Sequence, residues 1–285
     1  MCQKIVIPAL GIPIFAYGFM ILCGFLISTY LLTREGKKRG LPPEKLLDFA
    51  VWLVLSGVVG ARLFYVVQFW GEEFSGKPWY KIFALWEGGM VFYGGVLAGL
   101  AFGLWYLMRH KLPLLDVLDI AAPFVPIGMA FGRMGCFLNG CCWGWYALSS
   151  FPLAVCFPPG TPIHAAQVKL GFVEEASRTL PVHPWQLYDA CHSLLMSCLL
   201  WIYLKRGPAR GCVASLFLLL YSLGRFVLDG FRGDHRPTFT GLTVSQNLSV
   251  GIFILALGGF VLAYIISKGK RADREEVKSR PAKGR

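Results

Sequence analysis

Phe131-Gly132-Arg133-Met134-Gly135-Cys136-Phe137-Leu138-Asn139-Gly140-Cys141-Cys142-Trp143-Gly144 closes a long apolar run with one cation, one carboxamide and four glycines. A charged side chain at membrane depth costs about 3 kcal/mol or more and turns toward a polar interior. Arg133 is therefore read as a functional residue. A cation there points to an anionic ligand, and lipid phosphates are the abundant anions of a membrane.

The rest of the chain agrees with a membrane setting. Of its 285 residues 55% are hydrophobic and 15% charged, and the mean hydropathy is +0.56. That is too apolar for an ordinary soluble domain. A spanning helix needs about 20 mostly apolar residues. Seven stretches qualify: 13–33, 46–69, 89–108, 117–138, 186–204, 212–231 and 246–267. The second, fourth and sixth carry Arg62, Arg133 and Arg225. The expected fold is all-α, a polytopic membrane protein of about seven transmembrane helices.

Lysine and arginine set the orientation. With the N-terminus outside, 18 of them fall on the inner side, 7 on the outer side and 3 within spans. The expectation is N-out and C-in. The net charge of +12 is spread over short loops and the tail and does not line one soluble face, so nucleic-acid binding is not expected. Residues 1–267 form the expected transmembrane catalytic domain. The loop at about 140–185, rich in aromatics and proline, lies outside as a lid or arm. Residues 268–285 form a basic cytoplasmic tail, expected to be disordered. Met1 to Gly11 lacks the pattern of a cleavable signal peptide, so the first span is expected to carry targeting.

Nine cysteines are present, at 2, 23, 136, 141, 142, 156, 191, 198 and 212, with no CxxC pair. Packing, a disulfide near the outer loop and metal binding are all open to them. No ligand set of the usual histidine or carboxylate spacing occurs, so neither a metal nor a cofactor is expected.

The intramembrane arginines need partners or ligands. Glu87, Asp119, Asp189 and Asp229 are the candidate carboxylates. Arg225 and Asp229 are four apart and share a helix face. Guanidinium groups grip phosphate through paired hydrogen bonds, so Arg133 and Arg225 converging from the fourth and sixth spans would make a phosphodiester clamp. In Trp86-Glu87-Gly88-Gly89-Met90-Val91-Phe92-Tyr93-Gly94-Gly95, paired glycines around an aromatic suggest a broken or re-entrant helix, with Tyr93 a polar handle or an interfacial anchor. In His183-Pro184-Trp185-Gln186-Leu187-Tyr188-Asp189, Pro184 suits a helix start, and His183 is either a general base or a helix cap.

These motifs together resemble the prolipoprotein diacylglyceryl transferase family. The resemblance runs from Tyr17-Gly18 through Gly60-Ala61-Arg62, Trp86 to Gly95, Asp119 and Gly132 to Gly144, on to His183–Asp189 and Arg225-Phe226-x-x-Asp229, and so covers nearly the whole chain. It implies an enzyme of the bacterial inner membrane with its active site on the extracytoplasmic side. The reaction it implies moves a diacylglyceryl group from phosphatidylglycerol to the lipobox cysteine of a preprolipoprotein signal peptide, leaving a thioether and glycerol 1-phosphate. Arg133 and Arg225 would bind the phosphate. Tyr17, Asn139 and Gly144 match functional positions, and Asp229 stands where glutamate is usual. With Tyr93 and Glu87 these complete the expected site. Three positions depart from the family pattern: Tyr93 for histidine, Cys136 for asparagine and Cys141 for glutamate. A phenol is a weak base near neutrality, which favours positioning and phosphate neutralisation as the source of catalysis. Two other readings are an anion transporter or channel, and a diverged homologue that only binds phospholipid or signal peptides.

Overall fold

The computed structural model describes residues 4–6, 13–85, 88–233, 238 and 241–279. Among these, the helices are α1 (Ala16–Lys38), α2 (Pro43–Gln68), α3 (Phe92–Arg109), α4 (Leu114–Ala121), α5 (Val125–Asn139), α6 (Pro162–Lys169), α7 (Trp185–Lys205), α8 (Cys212–Asp229) and α9 (Val244–Ser279). The chain is helical as expected, with one addition: β1 (Lys4–Val6) pairs antiparallel with β2 (Pro13–Phe15).

Among the described residues, five helices are long and apolar enough to cross a membrane, or six if α4 and α5 count as one span. Seven were expected. The expected span not among them is α3, whose 18 residues close on Arg109. The fourth span was expected to be continuous, but α4 and α5 meet at 42°. Pro123 and Pro126 cause the break, since proline withholds an N–H and disfavours helical backbone at the residue before it. Hydroxyls take up the carbonyls at the break: Ser197 donates to Pro123 O at 2.7 Å and Ser28 to Phe124 O at 2.9 Å. That satisfies backbone which lipid would leave bare. Helix α9 runs past residue 267, where disorder was expected, as far as Ser279.

Large apolar side chains such as Val67, Leu195 and Leu255 stand exposed on these helices. A water-soluble bundle would hide such a surface, whereas lipid covers it.

The chain divides into two compact units, Leu31–Val117 and Met1–Tyr30 with Leu118–Arg285. In the smaller unit α2 packs on α3 through glycine. A Cβ on Gly60 would fall 2.1 Å from Ala98 Cβ, and one on Gly94 would fall 2.3 Å from Phe64 Cβ. Only hydrogen permits this approach, which supplies the dispersion contacts that hold helices together where no hydrophobic effect acts between them. Leu46, Phe49, Tyr106, Leu107, Leu112 and Val117 form the core of this unit. In the larger unit α5, α7, α8 and α9 pack as neighbours, around Ala122, Met196, Leu200, Leu204 and Val213.

Candidate functional site

The larger unit gathers the charged residues around one indole. Trp185 opens α7 and is fully buried, and its Nε1–H donates to Leu228 O on α8. The guanidinium carbons of Arg133, Arg225 and Arg232 lie 4.8, 5.4 and 4.8 Å from its ring centroid. Each such contact is worth up to about 2 kcal/mol when desolvated. Three cations around one ring repel one another, and two carboxylates offset this. Asp189, four residues after Trp185 and so on the same face of α7, meets Arg133 Nε at 2.6 Å. Asp229 meets Arg225 Nη2 at 3.2 Å and accepts from Thr243 Oγ1. Arg225 also donates to Ser245 Oγ at 3.1 Å. Its Nη1 is buried with no hydrogen-bond partner among the described residues. A buried, charged donor left without an acceptor is costly and suits an incoming anion.

The other expected site residues fall as follows. Tyr17 sits in the first turn of α1 against Gly135 of α5, where a Cβ would lie 3.0 Å from its Cδ2. Asn139 is the last residue of α5. Gly144 lies in an extended segment, donating to His183 O at 3.1 Å and bridging to Arg232. A Cβ there would fall 2.8 Å from His183 O and 3.1 Å from Phe231 O. Overpacking of this kind costs about 1–3 kcal/mol. Gly144→Ala is therefore expected to lower the thermal unfolding temperature in detergent and to displace Arg232; an unchanged melting temperature would show that the strand absorbs the methyl.

Tyr93 belongs to the smaller unit, on the first turn of α3, 46% exposed and edge-on to Phe92. Glu87 lies outside the described residues. The expected break in helix before α3 is present: Gly88 and Gly89 have φ of 83° and 74°. Arg62 holds this segment, donating to Gly88 O, Gly89 O, Ile82 O and Lys81 O. Its partners are backbone carbonyls, so it organises a loop. Asp119 serves the start of α8. It accepts from Gly211 N at 2.6 Å and Ala214 N at 2.8 Å and so caps α8, as a carboxylate does favourably at a helix N-terminus. His183 does not cap α7, whose N-cap is Pro184. It hydrogen-bonds Tyr188 at 3.1 Å and rests on Phe151.

The segment expected as a lid or arm is folded against the end of α5. Phe157, Ile163 and Val182 form a core joined by Phe137, Trp143 and Val155, and Val182 bridges to both Tyr146 and Val155.

The signature itself ends in a tight reversal. Gly140 takes φ 71° and closes α5, with Cys141 N–H returning to Cys136 O at 3.1 Å, a left-handed helix cap. Cys142 holds φ 58° without being glycine, a conformation costing about 1–2 kcal/mol. Gln186 Nε2 ties Cys141 O at 2.7 Å. The result brings the sulfurs of Cys136, Cys141 and Cys142 within 4.8 Å of one another. The Cys141 thiol donates to Cys136 O at 3.7 Å.

Sequence reasoning missed Trp185 as the platform, Arg232 as the third cation and the meeting of the thiols. The available signals were Trp185 and Asp189 at helical spacing and the i, i+5, i+6 cysteines across a glycine.

Fold and site together define a polytopic helical membrane protein with three arginines gathered around one buried indole. Residues 4–262 match the family model described as Prolipoprotein diacylglyceryl transferase. A phosphatidylglycerol–prolipoprotein diacylglyceryl transferase from Gloeobacter violaceus is 33% identical over 256 residues, 87% of this chain and 88% of the relative. Its namesake from Xanthomonas campestris pv. campestris is 35% identical over 259 residues, 85% and 86% of the two chains. Phosphatidylglycerol–prolipoprotein diacylglyceryl transferase 2 from Clostridium perfringens is 29% identical over 261 residues, 91% and 93% of the two chains. The chain belongs to the prolipoprotein diacylglyceryl transferase family, a family of membrane transferases.

Proposed function

We propose that the chain transfers the diacylglyceryl group of phosphatidylglycerol to the lipobox cysteine thiol of preprolipoprotein signal peptides, releasing glycerol 1-phosphate, at the extracytoplasmic face of a bacterial cytoplasmic membrane with N-out, C-in orientation. The observation that carries the reading is the buried Arg225 Nη1, without a hydrogen-bond partner among the described residues, beside Arg133 around one indole. A phosphodiester is a monoanion with several acceptor oxygens. Arg225 has a free donor for it, and Arg133 is held by Asp189 through Nε, which leaves its Nη groups to face a headgroup. As the C–O bond to the diacylglyceryl carbon breaks, negative charge gathers on the phosphate. Fixed guanidinium donors in a dry site stabilise that charge more than the ground state. The names of the relatives supply the donor lipid and the acceptor class.

The test is a lipobox peptide incubated with the purified protein in liposomes. A peptide mass gain with phosphatidylglycerol, and none with phosphatidylethanolamine alone, is the expected result; no gain with either lipid would overturn the reading. Tyr93→Phe is expected to slow transfer by less than about tenfold, because a phenol is a poor base near neutrality. A loss on the order of 10³-fold would instead make its hydroxyl the proton acceptor.

A further inference from the structure

The phosphate clamp leaves three thiols unused. The sulfurs of Cys136, Cys141 and Cys142 lie within 4.8 Å of one another, with Cys136 buried and the other two half-buried. The backbone is shaped to bring them together: Gly140 reverses the chain in the left-handed region, Cys142 is held there without being glycine, and Gln186 fixes the carbonyl between them. The group contains no imidazole or carboxylate. A set of thiolates selects zinc and copper(I) over magnesium, calcium or manganese. Zinc takes four ligands, and three from the protein leave one position open, as in catalytic rather than closed structural sites.

We propose that Cys136, Cys141 and Cys142 hold a zinc ion whose open position takes the thiol of the acceptor cysteine. The role given to the open position rests on the transferase reading. A thiol bound to zinc gives up its proton, here to solvent. The substrate sulfur then attacks the diacylglyceryl carbon that bears the phosphate. The C–S bond forms, the C–O bond breaks with its electron pair on the phosphate oxygen, and glycerol phosphate leaves. No atom changes oxidation state and no co-reactant is consumed. Cys136 lies three residues after Arg133, so the two share a face of α5. The thiol activator and the phosphate clamp are thereby held on one helix end.

The experiment uses full-length protein in detergent, kept reduced with a phosphine, stripped with a chelator and reloaded with Zn²⁺, or with Cd²⁺ as an absorbing probe. About one ion per chain is expected, with a cadmium–thiolate charge-transfer band. Cys136→Ser, Cys141→Ser and Cys142→Ser should each weaken metal binding at least about tenfold. Cys156→Ser, at an exposed cysteine, should bind as wild type. A lipobox peptide should shift the band and its Cys→Ser version should not. Stripped protein should still bind phosphatidylglycerol but transfer at least about a hundredfold more slowly, with zinc restoring the rate. Reduced, lipid-binding protein that takes up no metal would overturn the site, as would metal uptake unchanged in all three serine variants. A disulfide between two of the three that resists the phosphine would overturn it too. Full transfer by stripped protein would remove the role of the open position. Metal uptake with no transfer in any form would instead sink the transferase reading and leave the metal site standing.

Discussion

Arg133→Ala is expected to reduce diacylglyceryl transfer by about 10³-fold or more while the protein still folds and inserts. The magnitude follows from losing a fixed charged donor aimed at an oxygen that gains charge in the transition state. Two effects of the substitution are separable. Asp189, nearly buried, loses its ion-pair partner, and breaking a buried pair is destabilising; replacing both, in Arg133→Ala with Asp189→Asn, should recover stability without recovering transfer. Arg133→Lys keeps the charge but loses the planar fork that matches phosphate, and should sit between, down by on the order of 10²-fold. Melting temperature and turnover measured on all three variants would check this. Near-normal turnover by Arg133→Ala would remove the clamp from the account.

Trp185→Ala should have the largest effect on stability. The indole is fully buried, and deleting a core aromatic costs about 3–5 kcal/mol. Here it also removes the surface on which three guanidinium groups rest and a hydrogen bond that ties α7 to α8. The variant is expected to melt early and to lose phosphatidylglycerol binding together with transfer. Trp185→Phe keeps a ring and should restore most of the stability but only part of the affinity, since phenylalanine is the poorer cation–π partner. Equal affinity of Trp185→Phe and wild type for the lipid would reduce Trp185 to a packing residue.

Much of this was legible in the chain. Apolar runs located the helices because a membrane demands length and apolarity together, and the Arg225–Asp229 pair follows from a spacing of four. The break between α4 and α5 could have been read at Pro123 and Pro126, yet the hydropathy of 117–138 masks it, because hydropathy reports side chains while a break concerns backbone. Glycines in α3 that let it pack closely on α2 were visible in the sequence, but the partner they pack against was not. Asp119 as the cap of α8 and Asp189 as the partner of Arg133 were out of reach. Both are contacts between elements distant in sequence, and a list of carboxylates does not say which cation each one meets. Among the described residues, the site arginines and Trp185 come from α5, α7, α8 and the turn after α8, so their convergence depends on packing that no single stretch encodes.

The most direct test of the central claim is to follow both products in one reconstituted reaction. Wild-type protein in phosphatidylglycerol liposomes is given a lipobox peptide, and glycerol phosphate release and peptide mass are read together. The account predicts equal amounts of released glycerol phosphate and diacylglyceryl peptide, both abolished when the peptide cysteine is alanine. Folded, lipid-binding protein that yields neither product would contradict it, as would glycerol phosphate released without the peptide thiol.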